Sequence, residues 1–506
     1  MSYVSKWMGD VFFGTALPVL LLGVGLIYFI ALRAFPFVHP VRAFKCALGR
    51  NTRSALGALS VALGGTLGVG NITGVALALA AGGAGALFWM WVSAAFAMFL
   101  KYGEVVLALL YRQRGTDGTW EGGAMYYLRA YGGRVGKAVA AVFAVLCLLC
   151  ALTLGAPVQS NAAATAAKEV LGIPAGVIGG ALFLLTSLAV FGGARKIFSF
   201  TERVVPLMSV LYLCLSVYAV VTHASALGGA LSRVFAEAFS FSAGAAGTGG
   251  FLVSRAVRYG VTRGLLSNEA GAGTAPMAHA VAENAPASQG IMGLWEVAID
   301  TFVFCTATAL PVLIAFPDGF PAGTGVFLVT EAFSLLVGPI APLVLCVSIF
   351  LFAYATVLAW CYYGKRALGY LSSDPRARRL YLCGYVFAVG AGAFLQEGRL
   401  FEVTDGVLCL LTMLHTVFLL PALPEVVRES RRAGLFGKDV VFRGQREGKG
   451  RKDLANVVRN GRENGNGASV CRMGEGKTCG VEHGARKAVS LSPIKAIPEN
   501  GKSDGC

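Results

Sequence analysis

Apolar runs of about 20 residues recur along this 506-residue chain. Such a run crosses ~30 Å of hydrocarbon at ~1.5 Å per helical residue. Lipid leaves no partner for backbone N–H and C=O groups, so a chain of this kind folds as α-helices with internal hydrogen bonds. Eleven spans are predicted. The first lies near residues 11–34 and lacks a small-residue cleavage site, so it reads as a span rather than a leader. Ten more follow near 54–81, 85–110, 135–165, 174–192, 204–222, 231–254, 291–316, 339–363, 380–395 and 401–423, here called core helices 1 to 10. Three regions result: residues 1–50, a span and connector; 51–425, the helical core; and 426–506, a polar tail.

Core helix 1 contains Gly64-Gly-Thr-Leu-Gly-Val-Gly-Asn-Ile-Thr-Gly74. Gly68 and Gly70 weaken the helix in mid-membrane. A break there requires the freed backbone groups to face protein, water, an ion or a substrate, which makes it a candidate transport site. Core helix 6 is interrupted likewise in Ser242-Ala-Gly-Ala-Ala-Gly-Thr-Gly-Gly-Phe251. Each interrupted helix opens a block of five. Five is odd, so the second block enters the membrane from the opposite side. Matched breaks in inverted halves point to a binding site, whereas one break alone in a chain with 66 Gly is more often the mark of close helix packing through small residues.

Charge sets the expected orientation. Twenty-one Lys and Arg fall on one side, among them Arg42, Arg53, Arg112, Arg114, Arg255, Arg258, Arg263 and Arg366. The other side holds Lys6, Lys168, Arg233 and Arg399. The positive-inside rule then places the N-terminus outside and the C-terminus in the cytoplasm of a cell (inner) membrane protein. The net charge of +16 calls for no nucleic acid, because residues 430–506 carry 16 Lys and Arg against 8 Asp and Glu. That stretch reads as a disordered cytosolic extension. The twelve Cys show no zinc spacing, and Cys147 and Cys150 read as packing residues.

Several runs resemble the alanine/glycine:cation symporters. They are Thr66-Leu-Gly-Val-Gly-Asn-Ile-Thr-Gly-Val-Ala76, Gly82-Gly-Ala-Gly-Ala-Leu-Phe-Trp-Met-Trp91, Lys101-Tyr-Gly-Glu104, Gly123-Ala-Met-Tyr-Tyr127, Glu202-Arg-Val-Val-Pro206 and Ile299-Asp-Thr301. The most diagnostic is Arg263-Gly-Leu-Leu-Ser-Asn-Glu-Ala-Gly-Ala-Gly-Thr-Ala-Pro-Met-Ala-His279. The resemblance covers about residues 10–425. It implies an all-α integral membrane fold of the leucine-transporter type, a 5+5 inverted repeat with broken core helices 1 and 6 plus one N-terminal helix. It also implies uptake of small neutral amino acids, usually alanine or glycine, with Na⁺ or sometimes H⁺. No other cofactor is implied.

A zwitterionic amino acid needs donors for its carboxylate and acceptors for its ammonium. Gly68, Val69, Gly70 and Asn71 can offer free N–H groups, with a half-helix dipole behind them. Gly249 and Gly250 can offer carbonyls, and Phe251 either roofs the pocket or packs elsewhere. Gln159 and Asn161 are costly in an apolar helix unless bonded. They match the family's polar pair, with Gln159 either a substrate contact or an interhelical hydrogen bond. By the family's architecture Na⁺ would take carbonyls of Gly64, Leu67 and Phe352 and the hydroxyl of Thr356. This chain departs at Ala355, where the family usually has a hydroxyl residue, and at Val69, usually Ser or Thr.

Three acids lie in or near the membrane. Glu104 follows Lys101 by three residues, so the pair can meet on one helix face. Asp300 sits inside core helix 7 as a coupling, gating or structural acid. Glu269 falls in the cytosolic loop after core helix 6, as a gate contact or a helix cap. A channel would need a filter sequence, and none is found. An enzyme would need clustered catalytic groups, whereas the five His are scattered. The lipid bilayer and a small amino acid are the expected partners, and oligomeric state is not legible.

Overall fold

A computed structural model describes residues 15–48, 52–115, 118–191, 194–239, 255–321 and 325–436. It is helical apart from one two-stranded hairpin. In chain order the elements begin with α1 Leu17–Ala31, α2 Phe35–Val38, α3 Pro40–Leu48, α4 Thr52–Thr66, α5 Thr73–Gly82 and α6 Gly85–Leu110. Strands β1 Gln113–Arg114 and β2 Trp120–Glu121 follow, then α7 Ala124–Tyr131, α8 Gly136–Cys150, α9 Gln159–Leu171, α10 Ala175–Val190, α11 Ala194–Thr222 and α12 Ala224–Ala238. The rest are α13 Arg255–Asn268, α14 Pro276–His279, α15 Pro286–Val297, α16 Thr306–Ala315, α17 Val326–Val337, α18 Ala341–Leu371, α19 Pro375–Gly392 and α20 Glu397–Arg432.

Six helical stretches are long and apolar enough to cross a membrane: Gly85–Leu110, Gly133–Leu171, Ser199–Thr222, Pro286–Ala315, Ala341–Leu371 and Glu402–Arg432. The pair Thr52–Thr66 and Val69–Gly82, bent by 60°, makes a seventh if counted as one. The expected break in core helix 1 is therefore present. Helices α1, α10 and α17 are apolar but shorter. Length and composition thus support six or seven spans directly, fewer than the eleven counted from hydropathy.

Two of the long spans are joined through wide turns. Ala151–Val158 is π-helical and links α8 to α9, and it contains Pro157, which cannot donate the normal helical bond. Ala298–Cys305 is π-helical and links α15 to α16. Gln159 begins the α-helix after the first wide turn, and Asp300 lies inside the second.

The region read as core helix 6 needs correction. Helix α12 ends at Ala238, and the glycine-rich interruption falls in 240–254, outside the described residues. A second helix, α13, then runs to Asn268, where a basic cytosolic loop was expected. Arg255, Arg258 and Arg263 disguise an amphipathic helix. Its buried face is Ala256, Val257, Gly260, Val261, Gly264 and Leu265, the four-residue spacing of a helix. That face packs along α6.

The α6–α13 crossing is made close by missing side chains, as in many membrane helix pairs. A Cβ on Gly260 would lie 2.3 Å from the Ala86 carbonyl oxygen and 2.8 Å from Trp89 Cβ. One on Gly264 would lie 2.7 Å from Ser93 Oγ. Glu237 of α12 accepts the Ala84 N–H at 2.6 Å, at the start of α6.

Two further elements were not expected. Helix α17 lies between core helices 7 and 8. The hairpin clamps Trp120 between two guanidinium groups, Arg112 at 4.1 Å and Arg114 at 3.9 Å from the ring centroid. Arg366 of α18 joins the hairpin through Glu121 at 3.4 Å and the Trp120 carbonyl at 3.2 Å. Helix α20 runs through Arg432, past the boundary drawn at 425. Residues 437–506, most of the tail, lie outside the described residues.

Candidate functional site

The site is built around the bend between α4 and α5. Val69–Asn71 form one turn of 3₁₀ helix after an extended Gly68. The freed backbone groups are taken up locally. Gly68 N–H donates to Thr66 O at 2.9 Å and to Asn71 Oδ1 at 3.2 Å. Val69 N–H donates to Gln159 Oε1 at 3.3 Å. Thr73 Oγ1 donates to Val69 O at 2.8 Å, and Thr308 Oγ1 to Asn71 O at 2.7 Å. The expectation of several free N–H groups is thus corrected. The Gly70 N–H takes part in none of these bonds.

Gly70 also meets no described side chain. No heavy atom of the described residues lies within 4 Å of a Cβ built on it, nor on Gly74 one turn later. Gly68 is the opposite case. A Cβ there would lie 2.7 Å from Thr356 Oγ1 and 3.2 Å from Gln159 Oε1. Gly68 lets two polar side chains reach the backbone, and no described side chain fills the place a Cβ would take at Gly70.

Beside Gly68 the structure gathers three oxygens. Thr356 Oγ1 of α18 donates to Gly64 O at 3.0 Å and approaches Leu67 O at 3.5 Å. Two carbonyls and a hydroxyl are the donor type a hard cation takes. Ala355 is fully buried next to them and offers no side-chain oxygen. Phe352 lies one turn before Thr356 on α18, with its ring against Tyr212 and Phe304.

On the far side of the bend Asn71 meets Asp300. Asn71 Nδ2 donates to Asp300 Oδ1 at 2.6 Å and to Ser267 Oγ at 3.0 Å. Ser267 donates in turn to Asp300 Oδ2 at 3.0 Å, as does Thr301 Oγ1. All four side chains are buried. Three hydrogen-bonding side chains thus surround one carboxyl, which offsets the cost of placing it in an apolar interior. Ser267 and Thr308 drew no functional expectation from sequence. Ser267 lies within the long diagnostic run, which was the available signal.

Other expectations fall elsewhere. Asn161 donates to Gly392 O at 3.2 Å and Leu395 O at 2.7 Å, an interhelical tie away from the bend. Lys101 does not pair with Glu104. Its Nζ meets Glu296 Oε1 at 3.4 Å, and Glu296 Oε2 also holds His279 Nε2 at 3.0 Å. Glu104 Oε1 instead accepts the Gly271 N–H at 2.5 Å. Tertiary partners better placed than the i+3 neighbour decide the outcome. Glu269 is buried rather than exposed in a cytosolic loop. It accepts Thr274 Oγ1 at 2.7 Å and Trp360 Nε1 at 3.1 Å. Gly249, Gly250 and Phe251 lie outside the described residues.

The bent helix, the apolar spans and the polar cluster buried between them define a multi-pass membrane transporter. The family model described as the sodium:alanine symporter family matches residues 1–433, and the chain belongs to that family. It is 35% identical over 424 residues to the sodium/alanine symporter AgcS of Methanococcus maripaludis, covering 80% of this chain and 91% of that protein. It is 30% identical over 434 residues to the amino-acid carrier protein AlsT of Bacillus subtilis, covering 84% and 91%. It is 33% identical over 389 residues to the putative sodium/proton-dependent alanine carrier protein YrbD of Bacillus subtilis, covering 73% and 79%. Among solved structures, a manganese transporter of Eremococcus coleocola superposes with a TM-score of 0.47 at 14% identity, covering 81% of this chain and 91% of that one. The family is one of transporters, not enzymes, and its description implies Na⁺ as the coupling ion.

Proposed function

We propose that this chain imports small neutral amino acids, alanine and glycine, by symport with Na⁺. The observation that carries the reading is the bend itself. Gly64 O, Leu67 O and Thr356 Oγ1 converge on one side of it, while Gly70 meets no described side chain. In this reading the oxygens hold the ion. The Gly70 N–H and the positive end of α5 receive the substrate carboxylate. Gln159 fixes the turn by accepting from Val69. Gly249, Gly250 and Phe251 complete the pocket from the second broken helix and limit side-chain size. The architecture proposed is the eleven-helix inverted repeat, with the N-terminus outside and the C-terminus in the cytoplasm. The basic side of the hydropathy profile supports it.

A second reading couples transport to H⁺. Asp300 favours it, since a buried carboxyl bonded to the broken helix can report its own protonation to the site. The names of the relatives include both ions. The deciding experiment is uptake of labelled alanine into proteoliposomes under separately imposed Na⁺ and H⁺ gradients. Uptake driven by Na⁺ alone supports the first reading. Uptake that follows only the pH gradient replaces it with the second, and Asp300→Asn should then abolish driven uptake while sparing exchange.

Ala355 predicts the strength of coupling. With one oxygen fewer near Thr356, half-maximal stimulation should need high external Na⁺. Ala355→Ser adds a hydroxyl on the same helix. A hydrogen-bonding group facing a charge is worth about 1.5–3 kcal/mol when well placed, and about 1.4 kcal/mol is tenfold in affinity. The variant should need several-fold less Na⁺ for half-maximal uptake, read from a Na⁺ titration of initial rates. An unchanged titration removes position 355 from the ion site.

A further inference from the structure

Glu269 carries two independent peculiarities. Its backbone has φ +51°, a region that a non-glycine residue enters at a cost. Its carboxyl is buried, and its hydrogen-bond partners are Thr274 Oγ1 and the Trp360 indole N–H, both neutral. A glycine or asparagine would suit that backbone better. A side chain kept at such a place is kept for what it touches.

Both ends of the contact lead to the site. Trp360 lies one helical turn after Thr356 on α18, on the same face. Its ring is held by Gly155, where an added Cβ would lie 2.2 Å from Trp360 Cβ, and by Tyr363 at 5.6 Å between centroids. Glu269 follows Ser267 and Asn268 at the end of α13. Ser267 bonds Asp300 and Asn71, and Asn268 Nδ2 donates to Thr301 Oγ1 at 3.2 Å. The Glu269–Trp360 hydrogen bond therefore joins the helix bearing the Thr356 hydroxyl to the helix end that grips Asn71 and Asp300.

We propose that Glu269 and Trp360 form a latch that makes ion binding at Thr356 and closure of the α13 end one event, an inference that rests on the Na⁺-symport reading. A carboxyl suits a latch. When α13 and α18 part, water replaces the indole and hydroxyl as partners, so the open form is solvated rather than stranded. An apolar contact would lack that compensation. Ion binding at the bend draws α18 and α4 together and favours the latched form. Loss of the latch lowers the apparent affinity for the ion by the share of closure the ion must then supply alone.

The test is a Na⁺ titration of alanine uptake in proteoliposomes. Trp360→Phe keeps an aromatic ring and removes the N–H together with the fused five-membered ring, so Glu269→Ala, which leaves the indole in place, is its partner in the test. Trp360→Phe should raise the Na⁺ concentration for half-maximal uptake about tenfold, while the alanine KM at saturating Na⁺ changes less than about twofold. Glu269→Ala should behave the same way. Glu269→Gln, which can still accept from the indole and meet Thr274, should stay within about threefold of wild type. The double variant Trp360→Phe/Glu269→Ala should be no worse than either single change, because both remove one interaction. A uniform loss of Vmax with unchanged Na⁺ dependence, or additive effects in the double variant, overturns the latch. If the wild type shows no Na⁺-stimulated uptake, the transport reading fails separately. Hydrogen exchange of residues 268–274 in the purified protein then decides the latch. Exchange slowed by Na⁺ in the wild type but not in Trp360→Phe upholds it, and an equal response to Na⁺ in the two removes it.

Discussion

Replacing Asn71 by Ala should abolish alanine uptake while leaving the protein folded and in the membrane. Asn71 is the one side chain that joins the turn to both of its supports. Its amide oxygen accepts the Gly68 N–H at 3.2 Å, and its amide nitrogen donates to Asp300 at 2.6 Å and Ser267 at 3.0 Å. Truncation leaves the Gly68 N–H to Thr66 O alone and takes a donor from a buried carboxyl. The bond lost to a carboxylate costs about 1.5–3 kcal/mol, and each neutral bond about 0.5–1.5 kcal/mol. A bend proposed to hold an ion and a substrate together would lose about a hundredfold in rate, since about 1.4 kcal/mol is a factor of ten. Initial rates of labelled alanine uptake, normalised to reconstituted protein, check this. Normal uptake would remove the bend from the site.

Gly260→Val should have the opposite signature, a loss of the folded protein itself. The crossing of α13 on α6 leaves no room at this position. Even the first atom of a side chain would fall 2.3 Å from the Ala86 carbonyl oxygen, on a rigid backbone that cannot turn aside. Relief requires α13 to move away from α6, which breaks the contacts of Val257, Val261 and Leu265 together. Overpacking of this kind costs about 1–3 kcal/mol or more, and valine adds two methyl groups beyond the clashing atom. Gly180→Val is the control, since a Cβ there meets no described atom within 4 Å. Size-exclusion profiles of a fluorescent fusion should show a monodisperse peak for Gly180→Val and its loss for Gly260→Val. Equal peaks would mean that the crossing gives way more easily than its geometry states.

The bend in core helix 1 was legible because glycine lowers the cost of leaving the helix inside an apolar run, and Gly68 and Gly70 sit where the chain turns. Gln159 was legible for a related reason: a buried amide needs a partner, and Val69 N–H provides it. Helix α13 was misread because hydropathy averages over all faces. Its arginines masked a buried stripe of small residues, and one of them, Arg263, reaches Asp405 at 3.1 Å. The meeting of Asn71 with Asp300 was not legible at all. The two are 229 residues apart, and neither spacing nor composition encodes which acid faces which amide. The Lys101–Glu104 pairing failed for the converse reason. A local spacing permitted it, but Glu296 and Gly271, brought in by the fold, took the two side chains instead.

The two wide turns at Ala151–Val158 and Ala298–Cys305 have a consequence for comparing this chain with its relatives. An α-helix keeps a constant angular phase of about 100° per residue, and a π turn lodges one additional residue in the ladder. Everything beyond it is rotated with respect to everything before. Gln159 and Asp300 owe their aim to that offset. A relative that lacks the additional residue would present different side chains to the bend even if every neighbouring residue were identical. One-residue gaps against these segments are therefore where a relative would re-aim the side chains that meet the bend, well away in sequence from its glycines.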